Sequence, residues 1–284
     1  MNTSDDITAA LPPPSVGATA LRLQAGESPA TVATLVAEEV AVALVYNGIS
    51  HAVMMATPLD LADFALGFSL GEGILADPEE LLGIEIEPGP AGITLQLSIT
   101  ARREVRLKER RRSLAGRTGC GLCGTDSLQE ALRPVEAVPD SGWRLDPAAI
   151  ETAMAQLGGQ QPLNQATGAT HAAAWCGLDG RLALVREDVG RHNALDKLIG
   201  ALAARRGAGM VLPPGFVVVT SRASFEMVHK CAGAGIELLA AISAPTALAI
   251  RMAEQAGLTL LGYARGTRAT VYAGAQRLAL QSGL

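Results

Sequence analysis

Residues 215–265 read GFVVVTSRASFEMVHKCAGAGIELLAAISAPTALAIRMAEQAGLTLLGYAR, and this stretch alternates short apolar runs with runs of helical spacing. The pattern predicts three strands joined by two helices. The strands are expected at 215–220, 237–243 and 258–263, and the helices at 224–232 and 246–256. Strands connected through crossover helices pair in parallel, so the stretch predicts an α/β fold with a mixed, largely parallel sheet.

Two elements upstream extend the same sheet. A β-hairpin is expected at 168–186, with turn residues Leu178-Asp179-Gly180, and a helix follows at 193–206. Together with the strands and helices above, they predict a large α/β domain at 126–284, which would bind the ligand.

The first part of the chain predicts a small α+β domain at 21–125, which ends in a cysteine-containing loop. Two apolar runs flank Asn47-Gly48, a pair typical of a type I′ turn, so a β-hairpin is expected there. A helix should begin after Thr57, whose side chain can cap it. Further strands are predicted at 93–99 and 104–108.

Residues 1–20, with three consecutive prolines, are predicted to form a disordered tail, because their composition cannot bury enough apolar surface to order them. The same segment lacks the basic and apolar regions of a signal peptide. No run of the chain has the length and hydrophobicity of a membrane span. A cytoplasmic protein without membrane association is therefore expected.

Composition narrows the class further. The chain has 284 residues, of which 49% are hydrophobic and 3% aromatic, so its core must consist mainly of aliphatic side chains. Such a composition is typical of a helix-covered sheet. The net charge of −5 argues against nucleic acid as a partner, because nucleic-acid binding depends on many Lys and Arg neutralising phosphates.

Basic residues are nevertheless concentrated at 102–117, which holds eight of the 23 Lys and Arg in the chain and only two Glu. A solvated strand or loop is the simplest interpretation. Because the run leads directly into two cysteines, an anionic ligand or an acidic protein partner is the alternative.

The most informative motif is Cys120-Gly-Leu-Cys123, which glycines flank on both sides. Two thiols at this spacing can exchange sulfur, form a disulfide or supply half of a metal site. Zinc is disfavoured because the chain has no second Cys-x-x-Cys, so no structural metal is expected. Spacing alone ranks redox and metal roles above sulfur transfer. The other two cysteines, Cys176 and Cys231, are expected to be inert core residues.

Polar clusters follow the predicted strands of the large domain, where open α/β sheets bind ligands. They include Ser221 and Arg222 after one strand and Tyr263 to Arg265 after another. Several of these clusters also precede helices, whose free N–H groups favour phosphate. The arrangement predicts an anionic, nucleotide-like ligand.

Four ordered motifs give the chain a family resemblance that runs from about residue 38 to residue 272. They are GRTGCGLCG at 116–124, REDVGRHNALDK at 186–197, SRASFEMV at 221–228 and SAPT at 243–246. In their order and content they resemble the formate dehydrogenase accessory sulfurtransferase family (FdhD). This resemblance places sulfur transfer ahead of the redox and metal roles.

The resemblance implies a sulfurtransferase that accepts sulfur from a cysteine desulfurase and passes it to the molybdenum bis(guanine dinucleotide) cofactor, a bound substrate, before the cofactor enters formate dehydrogenase. It implies that Cys120 carries the persulfide and that Cys123 is the second thiol. It also suggests a homodimer. The cofactor contacts that it implies near the last strand are Tyr263, Ala264, Arg265, Gly266, Thr267 and Arg268.

The family's large domain is similar in fold to the three-layer cytidine deaminases. Zinc deaminases use a His-x-Glu followed by a Pro-Cys-x-x-Cys. Here His171 lacks the following glutamate and the cysteine pair precedes it, so deamination is not expected.

Three points remain open at this stage. A cofactor-binding chaperone without sulfur transfer and a dithiol oxidoreductase are alternative functions. The segment 186–197, including His192, contacts the cofactor or builds a hydrogen-bonded loop. Arg222 and Glu226 contact the ligand or form an ion pair.

Overall fold

The computed structural model describes residues 11–115 and 137–280, with side chains described up to residue 109 and again from residue 137. The first half contains six strands and two helices. They are β1 (Ser15–Arg22), β2 (Ala30–Ala37), β3 (Val40–Tyr46), β4 (Ile49–Ala56), α1 (Leu61–Gly71), β5 (Leu81–Gly89), β6 (Gly92–Ile99) and α2 (Ala101–Ala115).

The second half contains six more strands and five helices. They are α3 (Pro147–Leu157), α4 (Pro162–Thr167), β7 (His171–Gly177), β8 (Leu182–Asp188), α5 (Arg191–Gly207), β9 (Gly215–Val219), α6 (Phe225–Gly233), β10 (Leu238–Ala241), α7 (Ala247–Ala256), β11 (Thr259–Arg265) and β12 (Arg268–Ala273).

The second half forms a six-stranded sheet in the order β12-β11-β10-β9-β7-β8. The prediction of a mixed sheet is confirmed, but the prediction that it is largely parallel is wrong. Only β9, β10 and β11 run parallel, whereas β7, β8 and β12 pair antiparallel with their neighbours. The hairpins β7–β8 and β11–β12 add antiparallel strands on both sides of the parallel centre.

Helices cover both faces of this sheet. Successive side chains of a β-strand point to opposite faces of the sheet, so β9 contributes to both faces. Val217 and Val219 pack in a core with α5, α6 and α7. Phe216 and Val218 pack in a second core with α3. The result is a helix–sheet–helix arrangement of three layers; the specific similarity to cytidine deaminases stays a prediction.

The first half forms a four-stranded sheet in the order β4-β3-β6-β5. The β3–β4 hairpin is confirmed, with Asn47 and Gly48 at φ 46° and 77°, as a type I′ turn requires. Its core also includes α1, which packs along α5. At this contact the backbones of the two helices approach so closely that a Cβ on Gly67 would lie 1.7 Å from the Asp196 carbonyl oxygen.

Two local predictions in this half are wrong. The segment predicted as a strand at 104–108 lies in helix α2, where Leu107 is buried and Arg106 and Lys108 are exposed. Thr57 does not cap α1, because Asp60 occupies the N-cap and the Thr57 hydroxyl accepts a hydrogen bond from the Val189 N–H instead.

Strands β1 and β2 pair only with each other. Ordered structure therefore begins before residue 20, where the predicted tail ends, while residues 1–10 lie outside the described residues. The predicted domain boundary at 125/126 also lies outside them and stays a prediction. Among the helices of the described residues, none has the length and apolar composition needed to cross a membrane.

Candidate functional site

The two cysteines of the Cys-x-x-Cys motif, Cys120 and Cys123, lie outside the described residues. The other two cysteines are completely buried, and burial raises the pKa of both the Cys176 and Cys231 thiols. Thiols that stay protonated and inaccessible are poor nucleophiles. The prediction that these two residues are inert is therefore supported, whereas the reactivity of Cys120 and Cys123 stays a prediction.

The predicted ligand-binding segments lie at one edge of the six-stranded sheet, which we call the strand-end edge. Because β9, β10 and β11 are parallel, their C-terminal ends at 220–222, 243–245 and 263–265 meet there. Helices α6 and α7 begin at the same edge, since they follow β9 and β10. The antiparallel hairpin β7–β8 brings His171 to this edge as well.

Residues 263–268 comprise the end of β11, the two-residue connection Gly266-Thr267 and the first residue of β12. The backbone N–H of Tyr263 donates to the Ser243 carbonyl at 3.2 Å, which ties this turn to the end of β10. Tyr263 has φ 52°, a left-handed conformation that is costly for a residue with a Cβ, and its side chain is 50% exposed. Such strain is often found at functional positions.

The other members of this turn differ in what they can offer a ligand. Ala264 is completely buried in the core, so neither its side chain nor its backbone is exposed to a ligand, and the predicted contact through this residue is not supported. Gly266, at φ 52°, and Thr267 are exposed at the tip of the turn. A glycine there permits close approach of a phosphate to the backbone.

Two arginines flank this tip and lie opposite each other on the adjacent strands β11 and β12. The Nε of Arg265 donates to the Ile242 carbonyl at 2.9 Å, which orients the guanidinium beside the end of β10. Arg268 is its partner in the strand register and is exposed. Within the described part of the chain, neither arginine forms an ion pair. Both are therefore available to an anion.

Ser221 and Arg222 lie at the end of β9, two strands from β11. Neighbouring strands lie about 4.8 Å apart, so about 10 Å separates the two segments. Ser221 is buried and its hydroxyl donates to the Arg222 carbonyl at 3.0 Å, whereas the Arg222 side chain is exposed. The predicted segments thus span a distance comparable to the length of a nucleotide.

Two histidines flank these segments. The His192 Nε2 lies 2.8 Å from Glu226 Oε2, so the predicted Arg222–Glu226 ion pair is wrong. Burial lowers the pKa of His192 more than this carboxylate raises it. Burial and the nearby Arg191 guanidinium also lower the pKa of His171. Both imidazoles are therefore neutral at pH 7, and the positive charge of the edge comes from its arginines.

The segment 186–197 is held in place mainly by buried polar contacts, several of them with the first half of the chain. Asp188 and Lys197 are completely buried, and their Oδ2 and Nζ atoms lie 2.7 Å apart. The same Oδ2 accepts from the Thr57 N–H, and Lys197 donates to the Thr57 carbonyl, both at 3.0 Å. Asn193 donates to Asp188 and to the Met55 carbonyl. These contacts give Asp188, Asn193 and Lys197 a structural role that joins the first half of the chain to the second.

A second buried cluster was not predicted from the sequence. Lys230 of α6 donates to both carboxylate oxygens of Asp196 at 2.8 and 3.0 Å, and to Glu72 beyond the end of α1 at 3.3 Å. Burial raises the pKa of Asp196 to about 6. Burial alone would lower the pKa of Lys230, but the two carboxylates raise it. The available signal was the pair Asp196-Lys197 inside an otherwise apolar helical run.

No group of three or more His, Cys, Asp or Glu in the described residues is arranged to hold a metal ion. At the strand-end edge, arginines and helix N-termini supply groups of the kind that bind anions in other proteins.

Comparison with known proteins shows which family this sequence matches. A model of the FdhD/NarQ family matches residues 37–279. A protein from Cupriavidus necator named sulfur carrier protein FdhD is 58% identical over 250 residues, which cover 88% of this chain and 85% of that protein. A protein of the same name from Bordetella petrii is 54% identical, covering 93% and 94% of the two chains.

A solved structure has the same fold. The crystal structure of a proposed formate dehydrogenase accessory protein from Desulfotalea psychrophila matches with a TM-score of 0.74 and 26% sequence identity. The match covers 94% of this chain and all of that chain.

Proposed function

Because the chain belongs to the FdhD/NarQ family, we propose that it is a sulfur carrier that supports the assembly of an active formate dehydrogenase. The observation that carries this proposal is that the family match spans Cys120 and Cys123, while relatives at 53–58% identity are named sulfur carriers. The burial of the other two cysteines leaves this pair as the only thiols suited to carry sulfur.

In the proposed reaction, the Cys120 thiolate attacks the terminal sulfur of a persulfide on a cysteine desulfurase. A new S–S bond forms on Cys120, the S–S bond of the donor breaks, and the donor cysteine leaves as a thiol. No net oxidation or reduction occurs in this step. The Cys123 thiolate then attacks the inner sulfur of the Cys120 persulfide, so that a Cys120–Cys123 disulfide forms and the outer sulfur leaves as sulfide. The bound molybdenum bis(guanine dinucleotide) cofactor receives this sulfide, and a cellular thiol reductant returns the two cysteines to thiols.

Intact-protein mass spectrometry tests the sulfur carrier proposal. The protein is incubated with a desulfurase and cysteine, and the mass gain of one sulfur atom is measured in the wild type, in Cys120→Ala and in the control Cys176→Ala. Added sulfur is expected in the wild type and the control and not in Cys120→Ala. Absence of any adduct would refute the proposal and favour a chaperone, and a reversible Cys120–Cys123 disulfide without added sulfur would favour a dithiol oxidoreductase.

We further propose that the strand-end edge binds the nucleotide part of the cofactor through Ser221, Arg222 and the turn at 263–268. Support comes from the exposed arginines of this edge and from the close approach that Gly266 permits. Each charge-assisted hydrogen bond contributes roughly 1.5–3 kcal/mol, so the double substitution Arg265→Ala/Arg268→Ala should lower the affinity for guanosine diphosphate at least about tenfold.

Calorimetry measures this affinity, and Arg181→Ala/Arg206→Ala is the control. Both residues are exposed and lie away from the edge, Arg181 in the turn between β7 and β8 and Arg206 in the last turn of α5. The control should bind like the wild type, and persulfide formation at Cys120 should survive in the Arg265→Ala/Arg268→Ala variant. Unchanged nucleotide binding in the latter would show that the strand-end edge is not the site.

The proposal includes a reducing, cytoplasmic location, which keeps the motif available as thiols. It also includes a homodimer, in which two strand-end edges would serve the two nucleotides of one cofactor. Light scattering on the purified chain tests the dimer, and a monomer at micromolar concentration would contradict it.

A further inference from the structure

Charge is distributed very unevenly between helix α2 and the rest of the chain. The helix contains seven Lys and Arg and two Glu, a net charge of +5. Because the whole chain has a net charge of −5, the remainder carries −10. A single helix of 15 residues therefore carries a positive net charge in an otherwise acidic chain.

One face of α2 is anchored to the protein. Arg103 is buried, and its Nε lies 2.6 Å from Glu80 Oε2. Leu107, one turn further along, is also buried and joins the core of the first half. These contacts fix the rotation of the helix, so its opposite face points to solvent.

The opposite face, which we call the outer face of α2, consists of Arg102, Val105, Arg106 and Glu109. Arg102 and Glu109 each lie three or four residues from both Val105 and Arg106, so the four side chains share one side of the helix. All four are exposed, and the Val105 side chain is 55% exposed. Arginine is enriched at protein interfaces, and an exposed apolar side chain beside it adds surface that a partner can bury.

The two arginines of this face are not neutralised by the protein. Lys108 pairs with Glu104, which also accepts from Asn47. In contrast, Arg102 and Arg106 have no ion pair within the described ranges. Surface arginines without acidic partners are suited to bind carboxylates of another molecule.

The helix also lies close to the sulfur-carrying cysteine along the chain. Ala115 ends α2, and Cys120 is five residues further on. Five residues span at most about 18 Å even when fully extended. A protein that reaches the sulfur of Cys120 must therefore approach the end of this helix.

We propose that the outer face of α2 is the docking surface for an acidic surface of the protein that donates sulfur to Cys120. This inference rests on the proposed sulfur carrier function. Loading requires two proteins to meet at Cys120, whereas delivery goes to a cofactor held by the chain itself. The −10 charge of the remainder disfavours an extended polyanion such as nucleic acid, which would contact more than one helix.

The test compares two sulfur sources. One is the desulfurase with cysteine, which requires docking, and the other is inorganic polysulfide, which loads a thiolate without it. Loading of Cys120 is measured by mass spectrometry in the wild type, in Arg102→Glu/Arg106→Glu and in the control Arg206→Glu/Arg251→Glu. The control changes the net charge equally, on two exposed arginines of other helices.

At about 50 mM salt, the rate of loading from the desulfurase should fall at least about tenfold in Arg102→Glu/Arg106→Glu and change little in the control. The difference should shrink to less than about threefold at about 500 mM salt, because salt screens surface charges. Loading from polysulfide should be equal in all three proteins.

Each failure has a separate meaning. Equal desulfurase loading of all three proteins at low salt would overturn the docking surface while leaving the sulfur carrier function intact. An equal loss in the control would also overturn it, since net charge alone would then explain the effect. If the wild type gains no sulfur from either source, the proposed function itself fails.

Discussion

Replacing Lys197 with methionine is expected to lower the free energy of unfolding by about 3–5 kcal/mol. The ammonium group is completely buried and contacts Asp188 Oδ2 at 2.7 Å and the Thr57 carbonyl at 3.0 Å. Methionine fills a similar volume but leaves the Asp188 carboxylate buried with an uncompensated charge. Since domains have total stabilities of about 5–15 kcal/mol, the loss is a large fraction of the whole.

The pair can be tested further with a double-mutant cycle. Asp188→Asn removes the same ion pair from the other side, so it should cost a similar amount in the wild type. In the Lys197→Met background the carboxylate has already lost its cation. Asp188→Asn should there cost less by at least about 1.5 kcal/mol, within the range of coupling found for contacting residues.

Urea unfolding measures these effects, followed by circular dichroism and by the fluorescence of the buried Trp175. Lys108→Met is the matched control, because it removes an exposed Lys–Glu pair of α2 and should leave the midpoint unchanged. A midpoint for Lys197→Met equal to that of the wild type would refute the structural role of the pair. Normal stability of Lys197→Met together with loss of nucleotide binding would also refute it, because Lys197 would then bind the ligand.

Two further predictions concern the same helix–helix junction. Gly67→Ala should destabilise the protein by more than about 3 kcal/mol, or prevent folding, because its Cβ would lie 1.7 Å from the Asp196 carbonyl oxygen. In the control Gly207→Ala, nothing lies within 4 Å of the added Cβ, so the urea unfolding midpoint should not change. Asp196→Asn tests a pH dependence of stability, because burial raises the pKa of Asp196 to about 6. Between about pH 4 and pH 6, Asp196 therefore binds a proton in the folded chain that it releases in the unfolded chain. Its contribution to stability falls as the pH rises through this window. Unfolding midpoints at pH 4.5 and 7 should therefore differ more in the wild type than in Asp196→Asn, and an equal difference would contradict the buried, protonatable state of Asp196.

Local signals predicted most of the elements that form the strand-end edge. The alternation over residues 215–265 gave three strands and two helices close to their observed bounds, because buried parallel strands are short, apolar and separated by polar turns. The Asn47-Gly48 hairpin was equally clear, since few residues other than Asn and Gly adopt its left-handed turn. In both cases, the conformation is determined by residues that are neighbours in the sequence.

The two wrong predictions of the first half have different causes. Thr57 was expected to cap the next helix, yet its hydroxyl and backbone groups bind residues more than 130 positions away, which no local pattern reveals. Residues 104–108 of helix α2, in which charged residues alternate with Val105 and Leu107, were predicted as a strand. The wealth of Arg, Lys and Glu in α2 and its single β-branched residue are instead typical of a helix.

The junction between the two halves combines close packing with directional polar contacts. Gly67 and Gly200 let α1 and α5 approach closely, but two glycines offer no side chains that interlock, so this contact alone would permit sliding. The Thr57 N–H donates to Asp188 and the Thr57 carbonyl accepts from Lys197, and such hydrogen bonds are directional and tolerate little displacement. Helix α5 carries both features and begins at the strand-end edge. The polar pair therefore sets the position of the first half relative to that edge, which the glycine contact alone would leave undetermined.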